Sequence, residues 1–520
     1  MFKKMLPLIA IVLGFNFLLY YYFSTHNPSS APAPVPGGKG IISSNLISVP
    51  MINDMESSLV SFSNKDIRLT FSRTSGTMTG WKLLSYFTAD KKTNIDLLTS
   101  KPGFMGGGLV VRDKSGFLPL TLDHFDFNGT PISGSDISSS TQESLLKIHY
   151  TFNDHPVTLS YTLPPSGYRV GITIDNPDHL SLVFLPGLNF GMSDEAQFIG
   201  TEFQGPIYGS PDGKMNEFKK DISEIFPAAS LSWVGNETKY FIGYISLKGL
   251  SASTEIIKDK TNSFIRLSTE ATQSSFSITG EPKRYSLLKS AEPGLLDTVD
   301  FGWFLFGRIT LVSFLAKFLF LFLSSLYAHM ANYGFAIIFV TLLIKILFSP
   351  LAYMSFRSMN QMQQLQPEIK KLQAKFKDDK AQLNAAMMEL YKERRINPLG
   401  GCLPVLVQIP VFVALYNILN NTVELRQAPF LFWIHDLSLK DPYYIFPIIM
   451  GITMVIQTRL TPSTPDPMQR RIMLFLPVVM TFFFLNFPSG LVLYWIVNNL
   501  LTIGQQYVLM RYVFKTIPAK

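Results

Sequence analysis

One lysine sits inside an apolar run. Val340-Thr-Leu-Leu-Ile-Lys-Ile-Leu-Phe-Ser-Pro contains Lys345. An ionisable group inside a membrane-crossing helix costs ~3 kcal/mol on insertion scales, so it is kept only where it faces a partner, water or the interface. A flexible stem could carry the ammonium out to the nearer interface, which is the plain structural reading. Other polar residues gather at comparable depth in neighbouring apolar runs. Thr341 stands one turn before Lys345 on the same face. Gln408 and Asn417 share a second run, Thr481 belongs to a third, and Asn498, Asn499 and Thr502 to a fourth. Any one of them could tie helix to helix. Together with one cation they point to a wet cavity open toward the cytoplasm. The chemistry is non-covalent: attraction and shelter for a polar or acidic group crossing hydrocarbon.

No covalent chemistry is visible beside it. Gly37-Gly-Lys-Gly lacks the spacing of a phosphate loop, and there is no zinc-protease helix or serine nucleophile elbow. His124, His149, His155 and His179 are scattered and read as surface or packing residues. A single cysteine, Cys402, excludes an internal disulfide and reads as a small buried apolar residue. The expectation is a protein that is no enzyme, with no cofactor and no metal.

The elements that must position these residues follow from the composition. Among 520 residues, 47% are hydrophobic and only 16% charged, against roughly 25% charged in an average soluble protein. The net charge of +8 sits in loops beside apolar runs, the pattern of a positive-inside membrane protein rather than a specific nucleic-acid binder. Residues 1–25 start with Lys3 and Lys4 and hold an apolar run from Leu6 to Phe23. A cleaved signal peptide would have a shorter run and a small-x-small site. The aromatic close at Tyr20 to Phe23 favours an uncleaved anchor with its amino terminus in the cytoplasm. Residues 26–56, rich in Pro, Ala and Gly, are a periplasmic tether.

Over 57–290 the texture becomes short alternating segments such as Leu146-Lys-Ile-His-Tyr-Thr-Phe and Tyr168-Arg-Val-Gly-Ile-Thr-Ile, punctuated by turn residues. This predicts an all-β domain in the periplasm, a sandwich or close to it. Residues 301–330 are apolar, with Thr310, Ser313, Lys317 and Ser324 along one helical face. That favours an amphipathic helix lying in the interface over a further span.

The five-span core follows over 331–510. Its spans are expected at Tyr333–Ala352, Cys402–Thr422, Tyr444–Leu460, Ile472–Phe487 and Leu491–Met510. With the anchor, the count is six. The short Ile472–Phe487 run should thin the bilayer around it. Bases crowd the segment between Ala352 and Cys402, the loop at Arg470 and Arg471, and the tail 511–520. The loop from Val423 to Asp441 holds only Arg426 and Lys440. Both termini are therefore placed in the cytoplasm. Within 354–399, Met362, Leu365, Ile369, Leu372 and Phe376 recur at helical steps, and Leu383, Met387 and Leu390 resume the stripe beyond Asp378-Asp379. Two antiparallel helices burying both stripes, a cytoplasmic hairpin, are expected. Pro367 should start a fresh helix or kink a running one.

Several stretches carry a closer likeness: Asn397-Pro-Leu-Gly-Gly-Cys-Leu-Pro, Val423-Glu-Leu-Arg-Gln-Ala-Pro-Phe, Trp433-Ile-His-Asp-Leu-Ser, Asp441-Pro-Tyr-Tyr-Ile and Phe487-Pro-Ser-Gly-Leu-Val-Leu-Tyr-Trp. Through them the chain resembles the YidC/Oxa/Alb family of membrane protein insertases, in its Gram-negative form with a large periplasmic domain. Trp233, Lys239-Tyr-Phe and Gly280-Glu-Pro-Lys extend the likeness more weakly into the β region. The resemblance implies a periplasmic β-supersandwich, similar in fold to sugar mutarotases, though a shared fold is no evidence of sugar chemistry. It also implies a groove closed to the periplasm and open to cytoplasm and lipid. The family's usual arginine maps to Lys345, which keeps the charge and loses the planar fork. Substrate-sliding helices would map to Phe412, Met450, Phe483, Tyr494 and Trp495. Implied partners are nascent membrane proteins, Sec translocon components, the lipid bilayer and the ribosome, the last through the basic hairpin because the tail is brief.

The function expected is insertion and chaperoning of hydrophobic segments into the bacterial inner membrane without nucleotide hydrolysis. A small-solute transporter would show related halves and a membrane-embedded acid for coupling, and neither is visible. A mere anchor for the β domain would not need five further spans.

Overall fold

The computed structural model describes residues 59–88, 91–98, 107–114, 116–132, 136–138, 142–187, 203–219, 221–258, 263–299, 301, 303–304, 307–308, 310–376, 379–394, 396, 403–460 and 467–513. The expected anchor and tether, Cys402 and the end of the tail lie outside the described residues. The described chain forms two compact units, one β-rich and ending at Val299, the other helical and running onward from Asp300.

In the β unit, alternation of side chains dictates the strands. Along Ser144–Phe152, Leu146, Ile148 and Tyr150 are buried while Lys147 and His149 turn to the other side. Val170, Ile172 and Ile174 repeat the pattern in Arg169–Asp175. Among the described residues a ten-stranded antiparallel sheet runs in the order Met215–Glu217, Gly205–Gly209, Trp233–Glu237, Phe241–Ser246, Gln273–Pro282, Arg169–Asp175, His155–Leu163, Ser144–Phe152, Thr121–Phe127, Thr130–Pro131. A six-stranded sheet packs on one of its faces through Phe184 against Phe276, ring centroids 5.2 Å apart. A five-stranded sheet covers the same face through Phe71 against Tyr161 and Phe62 against Phe127. Gly280 lets Trp81 approach, since a Cβ there would lie 2.8 Å from the indole. The opposite face mixes polar residues such as Thr173, Ser275 and Ser277 with the buried Trp233 and Tyr244, and is partly covered by residues 284–299, which include the short helix α1 (Tyr285–Lys289). Trp233 Nε1 donates to the Pro293 carbonyl at 2.8 Å, and Lys283 Nζ to that of Thr298 at 3.2 Å.

The helical unit comprises α2 (Thr310–Met330), α3 (Tyr333–Leu347), α4 (Ser349–Gln364), α5 (Gln366–Lys375), α6 (Lys380–Glu393), α7 (Leu403–Asn421), α8 (Ile445–Leu460), α9 (Pro467–Phe484) and α10 (Ser489–Val508). Helix α10 is buried along its first half, up to Asn499, and packs against α3, α7 and α8. Helix α2 buries Val312, Ala316, Leu319, Phe320 and Leu323 and packs against α3 and α7. Its length and composition suffice to cross a membrane.

Two proline-marked breaks shape the middle. The run expected as one span over Tyr333–Ala352 bends by 62° between α3 and α4, because Pro350 in the first turn of α4 has no N–H to continue the ladder of α3. A second break at Leu365 precedes Pro367 in the first turn of α5. Asp379 then caps α6, its Oδ1 accepting from Ala381 N and Gln382 N at 2.9 and 3.0 Å. Helices α5 and α6 close on Leu365, Ile369, Leu390 and Tyr391, with Met362, Leu372 and Met387 around them. Glu368 and Arg394 pair at 2.9 Å across the rim.

Candidate functional site

Lys345 stands in the last turn of α3, and its Nζ donates to Thr502 Oγ1 of α10 at 2.7 Å. Thr502 in turn donates to the Asn498 carbonyl at 2.6 Å. Among the described residues no carboxylate lies within ion-pair distance of Lys345. The ammonium thus meets one neutral hydroxyl oxygen and keeps further donor capacity. Helix geometry explains the meeting: Asn498 and Thr502 are one turn apart on the face α10 turns to α3.

The other polar residues divide between internal and cross-helix bonding. Thr341 is buried and donates to the Ile337 carbonyl of its own helix at 2.6 Å, and Thr481 does the same to Pro477 at 2.7 Å. Gln408 Nε2 reaches the Tyr494 hydroxyl at 3.3 Å, joining α7 to α10. Asn499 Nδ2 donates to Thr453 Oγ1 at 3.0 Å, joining α10 to α8. Asn417 is buried, and its Nδ2 has no hydrogen-bond partner among the described residues. A buried donor left unpaired is costly to folding.

An aromatic cluster adjoins this network. Phe412 meets Trp495 edge-on at 5.3 Å, Phe484 at 5.8 Å and Phe487 at 6.4 Å. Phe483 lies 4.8 Å from Phe487 and is itself 43% exposed. The structure therefore gathers Phe412, Phe483 and Trp495 around Phe484 and Phe487. Tyr494, almost wholly buried, is turned to Gln408 instead, and Met450 is wholly buried within α8. Sequence reasoning passed over Phe484, Phe487, Thr453 and Gln506. Gln506 is buried and donates to the Leu460 carbonyl at 2.7 Å, holding the end of α8. The Phe482-Phe483-Phe484 run was the available signal for the aromatic hub; nothing local marks Thr453 or Gln506.

Residues 325–516 match the family described as 60Kd inner membrane protein, and residues 59–322 match the YidC periplasmic domain. The membrane protein insertase YidC of Francisella tularensis subsp. holarctica is 37% identical over 449 residues, covering 81% of this chain and 78% of that protein. This chain belongs to the YidC family. The YidC of Geotalea daltonii is 44% identical over 334 residues, covering 61% of this chain and 60% of its own length. A solved structure described as an active YidC insertase with its first transmembrane domain resolved aligns over 88% of this chain and 93% of its own, at 18% identity and a TM-score of 0.41. As a YidC, the chain is an inner-membrane protein whose β-rich unit is the periplasmic domain.

Proposed function

We propose that this chain inserts newly made membrane proteins, and that Lys345 is the charge that draws their polar ends into the bilayer. The observation that supports this most directly is the Lys345–Thr502 pair: a cation in an apolar helix, bonded to a hydroxyl and facing no carboxylate among the described residues. A structural ion pair would have its acid in the protein. Here the acid is supplied by the substrate, a short acidic segment of the incoming chain. At 4 Å and an effective dielectric near 20 that attraction is ~4 kcal/mol. Thr341, Gln408, Asn417, Thr481, Asn498 and Thr502 form the polar lining that lowers the cost of bringing charge partway across. Phe412, Met450, Phe483, Tyr494 and Trp495 belong to the helices along which the apolar segment slides.

The topology proposed has six spans with both termini in the cytoplasm, α2 lying in the interface and the α5–α6 hairpin in the cytoplasm receiving the substrate. Its basic surface is the proposed ribosome contact, and Sec components are proposed partners. Helix α8 has 16 residues, ~24 Å against a hydrocarbon layer of ~30 Å, and the apolar part of α9 from Ile472 is shorter still, ~20 Å. The bilayer thins around them, which shortens the passage. Release of the apolar segment into lipid is downhill at roughly 0.3–0.6 kcal/mol per large apolar residue, so no nucleotide is consumed. The test is insertion of a single-span client with an acidic periplasmic tail. Lys345→Ala and Lys345→Glu are expected to block it and Lys345→Arg to sustain it. Equal insertion by all would remove the cation from the mechanism.

A further inference from the structure

At the end of the helical unit away from Lys345 lies a connection between α7 and α8 with unusual exposure. Phe432 is 85% exposed and its backbone is left-handed, φ +55°. A bulky non-glycine residue is seldom found there and is held only when its surroundings impose it. They do so here. Phe430 N donates to Ile434 O at 2.9 Å and Leu437 N to Ala428 O at 2.9 Å, closing the chain beneath the tip. Ser489 N and Gly490 N at the start of α10 donate to Leu439 O and Leu437 O at 2.7 and 3.0 Å. Trp433 Nε1 donates to Asp441 Oδ1 at 3.0 Å, while Asp441 Oδ2 accepts from Phe446 N at 2.7 Å in the first turn of α8. The tip is therefore rigid, and it presents an aromatic ring to whatever surrounds it.

The tip itself is apolar, with the exposed His435 and Lys440 farther along the loop. No charge occurs from Gln427 to Ile434. Leu431, Leu439, Tyr443 and Tyr444 are exposed around Phe432. Ring contacts lead from the tip to α8: Phe432 stacks on Trp433 at 5.8 Å and Trp433 meets the buried Phe446 edge-on at 5.9 Å, with Ile448, Ile449 and Ile452 exposed farther along α8. An aromatic and aliphatic rim leading to a lipid-facing helix is the composition of the headgroup boundary. We propose that this loop is a rigid wedge seated in the outer-leaflet interface, its occupant the phospholipid bilayer, with Phe432 reaching past the headgroups. It fixes the depth of the closed end while the Lys345 end works. The leaflet rests on the orientation proposed above; the lipid contact does not.

Two separate readouts test it in the full chain carrying Cys402→Ser. With His435→Cys, an exposed position on the same loop, a membrane-impermeant maleimide added to spheroplasts should react without lysis. Reaction only after lysis would overturn the leaflet. With Phe432→Cys carrying a nitroxide, in vesicles of phosphatidylethanolamine and phosphatidylglycerol, relaxation by oxygen relative to a water-soluble nickel chelate should exceed that at Lys114→Cys by about fivefold. Lys114 lies exposed in a turn of the periplasmic domain. An equal ratio at the two sites, or protection of position 432 from both reagents as under a protein partner, would overturn the lipid contact. Phe432→Gly removes the backbone strain, so it should leave Tm unchanged or higher. A fall in Tm would place the ring in the protein core and overturn the wedge.

Discussion

The two units treat buried charge in opposite ways. In the periplasmic domain Glu237 and Lys283 face each other at 2.6 Å, each side chain about 4% exposed. Glu292 is tied by Ser246 at 2.7 Å, Lys248 at 2.9 Å and Arg169 at 3.5 Å. In the helical unit Lys345 meets a hydroxyl and, among the described residues, no carboxylate. A charge neutralised by its own chain supports the fold. A charge left to a neutral donor–acceptor pair keeps most of its attraction for something that comes and goes.

The sharpest way to break this contrast is to remove one lysine from each unit. Lys283→Ala removes the cation paired with the Glu237 carboxylate, which costs up to about 3–5 kcal/mol for a buried pair broken on one side. Amide exchange in the full chain should show that loss over Phe241–Ser246 and Gln273–Pro282, the strands that flank the pair. Lys345→Met removes a half-buried cation and fills its space with an apolar chain, so Tm is expected to hold or rise while insertion fails. If Lys345→Met instead destabilised the helical unit by as much, its charge would be structural and the contrast false.

Glu281 is the exception inside the periplasmic domain, and it sharpens the comparison through pH. Its carboxyl is buried, and desolvation pushes its pKa from the ordinary 4.5 up to about 7, with Arg169 pulling weakly the other way. Between those two values the folded domain holds one more proton than the unfolded chain, so stability falls as pH rises and the loss is complete above about pH 7. At ~1.4 kcal/mol per unit the total is about 3 kcal/mol. Unfolding of the domain followed from pH 4.5 to 8 should show that decline in the wild type. Glu281→Gln should flatten it and be the more stable protein at pH 8. A wild-type curve that rises over this range would put a compensating cation beside Glu281.

Much of this was readable along the chain. The runs expected at Cys402–Thr422, Tyr444–Leu460 and Leu491–Met510 meet α7, α8 and α10 within a few residues, because long apolar periodicity leaves few alternatives. Alternation likewise placed the strands around Leu146 and Tyr168. The run from Tyr333 was read through Pro350, and the structure turns there by 62°. Span length had outweighed a proline that governs backbone direction. Helix α9 starts at Pro467 and stops at Phe484 rather than running from Ile472 to Phe487, since arginines extend a helix readily and Pro488 ends what precedes it. Of the site, the polar residues were visible singly. That Lys345 would meet Thr502, 157 positions away, was not, because pairing across helices is set by packing and not by local pattern.

A smaller effect is expected at Thr502. Thr502→Val keeps the shape and takes away the oxygen that receives Lys345, leaving a half-buried donor short of one bond, a loss of about 1 kcal/mol in the helical unit. If the hydroxyl parks the ammonium between clients, insertion of the acidic-tailed client persists at reduced rate, and Thr502→Ser restores both stability and rate. A Thr502→Val chain with full insertion and unchanged Tm would mean that Lys345 finds water in that place.

The smallest change in stability is expected at Asn417, and its direction is what matters. The amide is buried with Nδ2 unpartnered, so Asn417→Leu replaces a desolvated donor with an apolar side chain of similar volume. On folding alone this stabilises by up to about 1 kcal/mol. If Asn417 lines the path of the incoming chain, that gain comes with slower insertion of clients whose leading segment is polar, and with no change for wholly apolar ones. Thermal unfolding and the two client classes measured on the same preparation separate the outcomes. A stabilised variant that inserts both classes at the wild-type rate would take Asn417 out of the lining and leave the polar path to α3 and α10.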